Sequence, residues 1–167
     1  VAVCISIIIQ TSKYIMNNDS LRNLSHNDVK NDILARIEKL NENSERVWGK
    51  MTVSQMLNHC QIPLNIALGK REMKKTFLGF LFGKMILKSL MKGNPVKKNS
   101  PTDKNFIVNT NKNFETEKAA LLELVREFNA LDPAKIDGKE HPFFGKMTAK
   151  EWGTLQYRHL DHHLEQF

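Results

Sequence analysis

Gly49-Lys-Met-Thr-Val-Ser-Gln-Met-Leu-Asn-His59 and Gly145-Lys-Met-Thr-Ala-Lys-Glu-Trp-Gly-Thr-Leu-Gln-Tyr-Arg-His-Leu-Asp-His-His163 open alike, and both run into histidines. Each Gly-Lys-Met-Thr reads as a helix start. Thr52 and Thr148 are N-cap residues, and Gln55 and Glu151, three positions on, complete capping boxes. Met51 with Met56, and Met147 with Trp152, stand where a hydrophobic staple would close over each start. With both starts fixed, His59 falls seven residues after its cap, His159 eleven and His163 fifteen. His159 and His163 are therefore one turn apart, separated by about 40° around the axis, and share a face. Two stacked imidazoles on one helix and a third on a similarly capped helix spell a metal site.

Working outward, the periodicity is helical nearly throughout. A first helix is expected over about residues 28–42, with Val29, Ile33, Ile37 and Leu40 on one stripe. The second, from Val53, carries Met56, Leu57, Cys60, Leu64, Ala67 and Leu68 inward. Pro63 removes a backbone donor and predicts a kink or break just after His59. A third helix, about 77–91, reads as apolar through Phe77, Phe80, Leu81, Met85, Leu87 and Leu90. Asn-Pro, Ser-Pro-Thr and scattered Asn make 93–112 a loop, extended briefly at Phe106-Ile-Val108. The fourth helix, about 114–130, buries Ala120, Leu121, Leu124, Val125 and Phe128 behind an Asn113 cap, and a loop leads to the last helix, from about 149. The expected class is all-α, most simply an up-down four-helix bundle with an additional short helix and long loops.

Composition narrows the alternatives. At 167 residues, 41% apolar and 26% charged, the chain is one ordinary globular domain. Two cysteines, Cys4 and Cys60, offer no disulfide framework, which points to a reducing, cytoplasmic compartment. The apolar run Val1–Ile9 is too short to span a bilayer, for which about 20 residues are needed. Residues 1–19 are read as an extension outside the fold, and 20–167 as a single helical domain. The net charge of +7 is concentrated: residues 70–98 hold nine basic side chains and one acid, +8 in all, and the rest of the chain carries −1. A local patch of this kind argues against a nucleic-acid-binding role for the molecule as a whole. Its plainest reading is a solvated helix face. A surface binder using these lysines with Phe77, Phe80 and Phe82 is the sharper one.

Around the histidines, His162 lies on an adjoining stripe and Asp161 points away from both His159 and His163. Cys60, beside His59, reads as a small buried apolar residue. Gln55, Trp152 and Gln156 lie on the histidine stripes and are the candidate substrate-binding residues; Gln166 is a similar neighbour, though glutamines at a bundle end are usually solvated. No carboxylate is placed by spacing to act as a general base.

Trp48-Gly-Lys-Met-Thr-x-x-Gln-Met-Leu-x-His59, Asn99-Ser-Pro-Thr102, His141-Pro-Phe-Phe-Gly-Lys-Met-Thr-x-x-Glu-Trp-Gly153 and Tyr157-x-His-Leu-Asp-His-His-Leu164 together resemble the DinB/YfiT-like superfamily of metal-binding four-helix bundles. More narrowly, they are similar to an uncharacterised DinB-like branch, over roughly residues 28–167. The resemblance implies His59, His159 and His163 as ligands of a divalent ion such as zinc or nickel. It also implies a small-molecule substrate, a homodimer in many members, and thiol-dependent transferase, hydrolase or isomerase chemistry with bacillithiol, mycothiol or glutathione as cosubstrate. A non-catalytic metal-binding or stress-associated interaction module is the alternative. No stable membrane insertion and no nucleic-acid partner are expected.

Overall fold

Threonine hydroxyls set the starts of the two histidine-bearing helices. In the computed structural model, which describes residues 22–75, 77–100 and 103–167, Thr52 Oγ1 accepts from the Gln55 amide at 3.2 Å and Gln55 Oε1 accepts from the Thr52 amide at 3.0 Å. Thr148 and Glu151 repeat the reciprocal pair at 3.2 and 2.7 Å. Both capping boxes form as the sequence predicts, each satisfying two amides that the helix cannot. Five α-helices lie among the described residues: α1 Asn27–Lys39, α2 Val53–Ala67, α3 Phe77–Met91, α4 Phe114–Ala130 and α5 Ala149–Leu164. The fold is mostly helical, as expected.

α1 buries Val29, Ile33 and Ile37, four residues apart on one stripe. α4 begins at Asn113, whose side chain accepts from the Thr116 amide at 2.9 Å, and buries Leu121, Leu124, Val125 and Phe128. α4 and α5 each pack against both α1 and α2, so these four helices enclose the core. Arg36 of α1 reaches Asp161 of α5 at 2.6 Å across one seam.

Two expectations are corrected and one is refined. Of the kink or break expected just after His59, the break is absent: α2 is continuous through Pro63. The missing amide costs about 3 kcal/mol, but Ile62, Pro63, Leu64 and Ile66 are all buried. Each such aliphatic side chain contributes about 1.5–3 kcal/mol, so packing outweighs the lost bond. α3 has the expected bounds, and of its broad apolar face only part is buried. Leu87 is buried, whereas Phe77, Leu81 and Met85 are 75%, 52% and 65% exposed. The reason is Gly83: a Cβ there would sit 2.0 Å from the Phe143 carbonyl oxygen, so the glycine side is the one that approaches its neighbours. Third, the loop before α5 contains a short antiparallel pair, β1 Glu140–His141 with β2 Gly145–Lys146. The His141 ring organises it, Nδ1 accepting from the Phe143 and Phe144 amides at 3.0 and 3.2 Å. α3 packs on β2 and α5, outside the four-helix core.

The expected extension 1–19 lies outside the described residues. Among those described, no helix is long and apolar enough to cross a membrane.

Candidate metal centre

α2 supplies His59 and α5 supplies His159 and His163, and the contact between these helices brings the three imidazoles together. Ring centroids are 5.0 Å apart for His59–His159, 4.6 Å for His59–His163 and 4.7 Å for His159–His163. One potential ligand atom from each lies within 4.8 Å of the other two. The pair His59 Nε2 and His159 Nε2 are 3.1 Å apart. Two nitrogens sharing a tetrahedral zinc at about 2.0–2.1 Å would be roughly 3.3 Å apart, so this spacing suits a common ion.

Hydrogen bonds on the far side of two of the rings fix which nitrogen is left with a lone pair to offer. His59 Nδ1 lies 2.8 Å from the Phe106 carbonyl oxygen, which can only accept; Nδ1 therefore carries the proton and Nε2 the lone pair. His163 Nδ1 is 3.1 Å from Gln166 Oε1. The orientation of that amide is itself fixed, because Gln166 Nε2 donates to the Trp48 carbonyl at 2.8 Å. His163 thus also donates from Nδ1 and keeps Nε2 free. Such outer partners orient ligating histidines and raise their basicity. His159 Nδ1 is buried with no partner. Since His59 Nε2 can only accept, the 3.1 Å contact places the remaining proton on His159 Nε2 until an ion displaces it.

Electrostatics favour neutral rings, the form a metal requires. Burial lowers the His59 pKa, partly offset by the Phe106 carbonyl. Burial, then the neighbouring His163 and His59, holds His159 well below its ordinary value. His163 is pushed down to about 3, chiefly by burial and then by His59. Donor type and charge fit a divalent ion at all three rings, and the tautomer fits at His59 and His163.

The neighbouring side chains have other partners. Asp161 is bound to Arg36, Cys60 is buried with Sγ 3.6 Å from Met56 Sδ, and burial pushes its thiol pKa up. His162 packs on the Trp48 ring at 4.6 Å instead of joining the three. Gln55 spends its side chain on the α2 cap. Trp152 is fully buried beside His141, ring centroids 5.2 Å apart, with Nε1 3.4 Å from the Lys139 carbonyl. Gln156 is buried, its Nε2 3.4 Å from the Pro63 carbonyl and its Oε1 without a partner.

Sequence reasoning undervalued Gln166. Far from solvated, it is 1% exposed, and its backbone carbonyl also accepts from Val47 N at 2.8 Å. Gly49 makes room for it: at φ +80°, a Cβ there would stand 2.4 Å from Gln166 Nε2. The glycine that opens the repeated segment, legible as a motif residue, was the available signal.

The model of a family described as "Protein of unknown function (DUF1569)" matches residues 18–167, and the chain belongs to that family. Comparison with curated proteins finds no match, nor does comparison with solved structures.

Proposed function

We propose that His59, His159 and His163 hold one divalent ion, zinc or nickel, in an enzyme of the DinB/YfiT-like four-helix-bundle type. The reaction is a thiol-dependent transfer or hydrolysis on a small molecule. What carries this reading is a set of three neutral imidazoles, two of them with Nδ1 engaged so that Nε2 faces inward, and no fourth protein donor in the group among the described residues. Structural zinc sites are usually closed by four protein ligands, whereas three leave a position for substrate. A divalent ion there supplies acidification of a bound thiol or water near neutral pH.

The protein's own contributions follow from the surroundings. Phe106 and Gln166 hold two rings in place. Trp48, packed on His162 and 6.4 Å from His163, walls one side. Lys98 lies 5.7 Å from the Trp48 ring centroid, where it would meet a carboxylate of an anionic thiol such as glutathione. Asp161, committed to Arg36, is not a free base, so acidity must come from the ion site itself. The buried free Cys60 suits a reducing compartment such as the cytoplasm. A homodimer belongs to the same reading.

The test is titration of cobalt-substituted protein with glutathione, cysteine and bacillithiol. A new near-ultraviolet charge-transfer band with at least one of them supports the thiol-dependent reading; a spectrum unchanged by all three defeats it. One observation favours a second reading, a non-catalytic or stress-associated module. The His59–His159 contact pairs the two Nε2 atoms without any ion, so the triad has a packing role of its own. Protein purified without an affinity tag and found metal-free would select that reading.

A further inference from the structure

α3 turns an apolar sector away from the protein. Phe77, Leu81, Phe82, Met85 and Ile86 are 75%, 52%, 45%, 65% and 38% exposed, while Gly83 and Leu87 face the β-turn and α5. At 100° per residue, Leu81, Met85, Phe82 and Ile86 span one continuous arc opposite the buried seam, and Lys84 and Lys88 line its edge beside Phe77. Lys74 precedes the helix and Lys92 follows it. Nearby lysines do have acidic partners: Lys70 meets Glu127 at 2.5 Å and Lys75 meets Glu140 at 2.8 Å. Lys74, Lys88 and Lys92 have no ion pair among the described residues. Glu72 is the single acid between residues 70 and 98.

We infer that α3 is a docking surface for an anionic lipid bilayer, lying in the plane of the interface with Phe77, Phe82 and Met85 among the acyl chains and Lys74, Lys88 and Lys92 at the headgroups. An apolar arc edged by lysine is the form that lies on a membrane, and fifteen residues are fewer than the roughly 20 needed to cross one. Charge selects the partner. A second copy docked on the same face would bring two sets of unpaired lysines together, with no carboxylates to receive them. Area points the same way. Those exposures amount to on the order of 500 Å² of apolar surface. A standard interface takes about 800 Å² from each partner. Nucleic acid would use the lysines and leave most of the apolar arc in water. The inference is independent of the metal site.

The experiment is co-sedimentation of the full chain with vesicles of phosphatidylcholine alone and of phosphatidylcholine mixed with phosphatidylserine. Binding is expected to the mixed vesicles only. It should fall at least tenfold between about 0.1 M and about 1 M salt, as the Debye length shortens from about 10 Å to about 3 Å. Lys74→Gln, Lys88→Gln and Lys92→Gln should each cost roughly fivefold and the triple variant roughly a hundredfold. Phe77→Ser with Met85→Ser should cost roughly tenfold or more while leaving the melting temperature unchanged, since both side chains are exposed. Equal binding to both vesicle types, or indifference to these substitutions, overturns the inference. So does a dimer in sedimentation equilibrium that Phe77→Ser with Met85→Ser dissociates, or a duplex oligonucleotide bound in preference to the mixed vesicles.

Discussion

Replacing Gln166 by leucine removes a buried relay and leaves a side chain of similar size. Two groups lose their partners: the Trp48 carbonyl, which accepts from Nε2 at 2.8 Å, and the His163 Nδ1–H, which donates to Oε1 at 3.1 Å. An unsatisfied buried group costs about 1–3 kcal/mol, so with two such groups the apo protein should lose roughly 2–6 kcal/mol. That is a large part of a typical stability of about 5–15 kcal/mol. Separately, His163 loses the partner that sets its tautomer, and zinc affinity should fall about 10- to 100-fold. Denaturant titration of the apo protein reads the first effect and chelator competition the second. Gln166→Glu separates them: it keeps an acceptor for His163 Nδ1 but sets a second oxygen against the Trp48 carbonyl. It should be destabilised yet bind zinc at least as tightly as the unmodified chain. Unchanged zinc affinity in Gln166→Leu would show that the relay does not orient His163.

Gly49→Ala should act on the same relay, since its Cβ would stand 2.4 Å from Gln166 Nε2 at a φ of +80°; strain of about 1–2 kcal/mol and weaker zinc binding should appear together in the same two assays. His162→Ala should retain stoichiometric metal, because the ring packs on Trp48 outside the three-histidine group; loss of metal from this variant would move His162 into the ligand set. For pH, burial brings His141 down to about 4 in the folded protein, against about 6.5 unfolded. The unfolded chain therefore takes up the proton first, and stability present above pH 6.5 drains away as pH falls toward 4. His141 alone should make the apo protein about 2 kcal/mol less stable at pH 5 than at pH 8. His141→Asn should show a smaller difference in urea titrations at the two pH values, and an equal one would place the pH sensitivity elsewhere.

The parts legible in the sequence were those written within a few residues of each other. Thr52 with Gln55, and Thr148 with Glu151, announce helix starts through contacts three residues long, and once the starts are fixed the histidine faces can be counted. Long-range contacts left no such trace. Gln166 looks like an ordinary helix-end glutamine until the Trp48–Gly49 turn folds over it, and the Phe106 carbonyl that holds His59 ends a single 3-10 turn, Lys104–Phe106, that no motif marks. The buried side of α3 was not legible because apolar residues occupy most of its circumference, so hydrophobicity could not say which side turns inward. The two-residue strands at Glu140–His141 and Gly145–Lys146 are too short for any alternation, and a histidine ring, not a turn dipeptide, closes them.

The most direct measurement is elemental analysis of untagged protein beside its His59→Ala, His159→Ala and His163→Ala variants. One equivalent of a divalent metal in the parent chain, and none in each variant after equal dialysis, is the predicted result. A parent chain that purifies without metal and takes up none from zinc or nickel solution, or an alanine variant that keeps a full equivalent, would contradict a single ion shared by the three histidines.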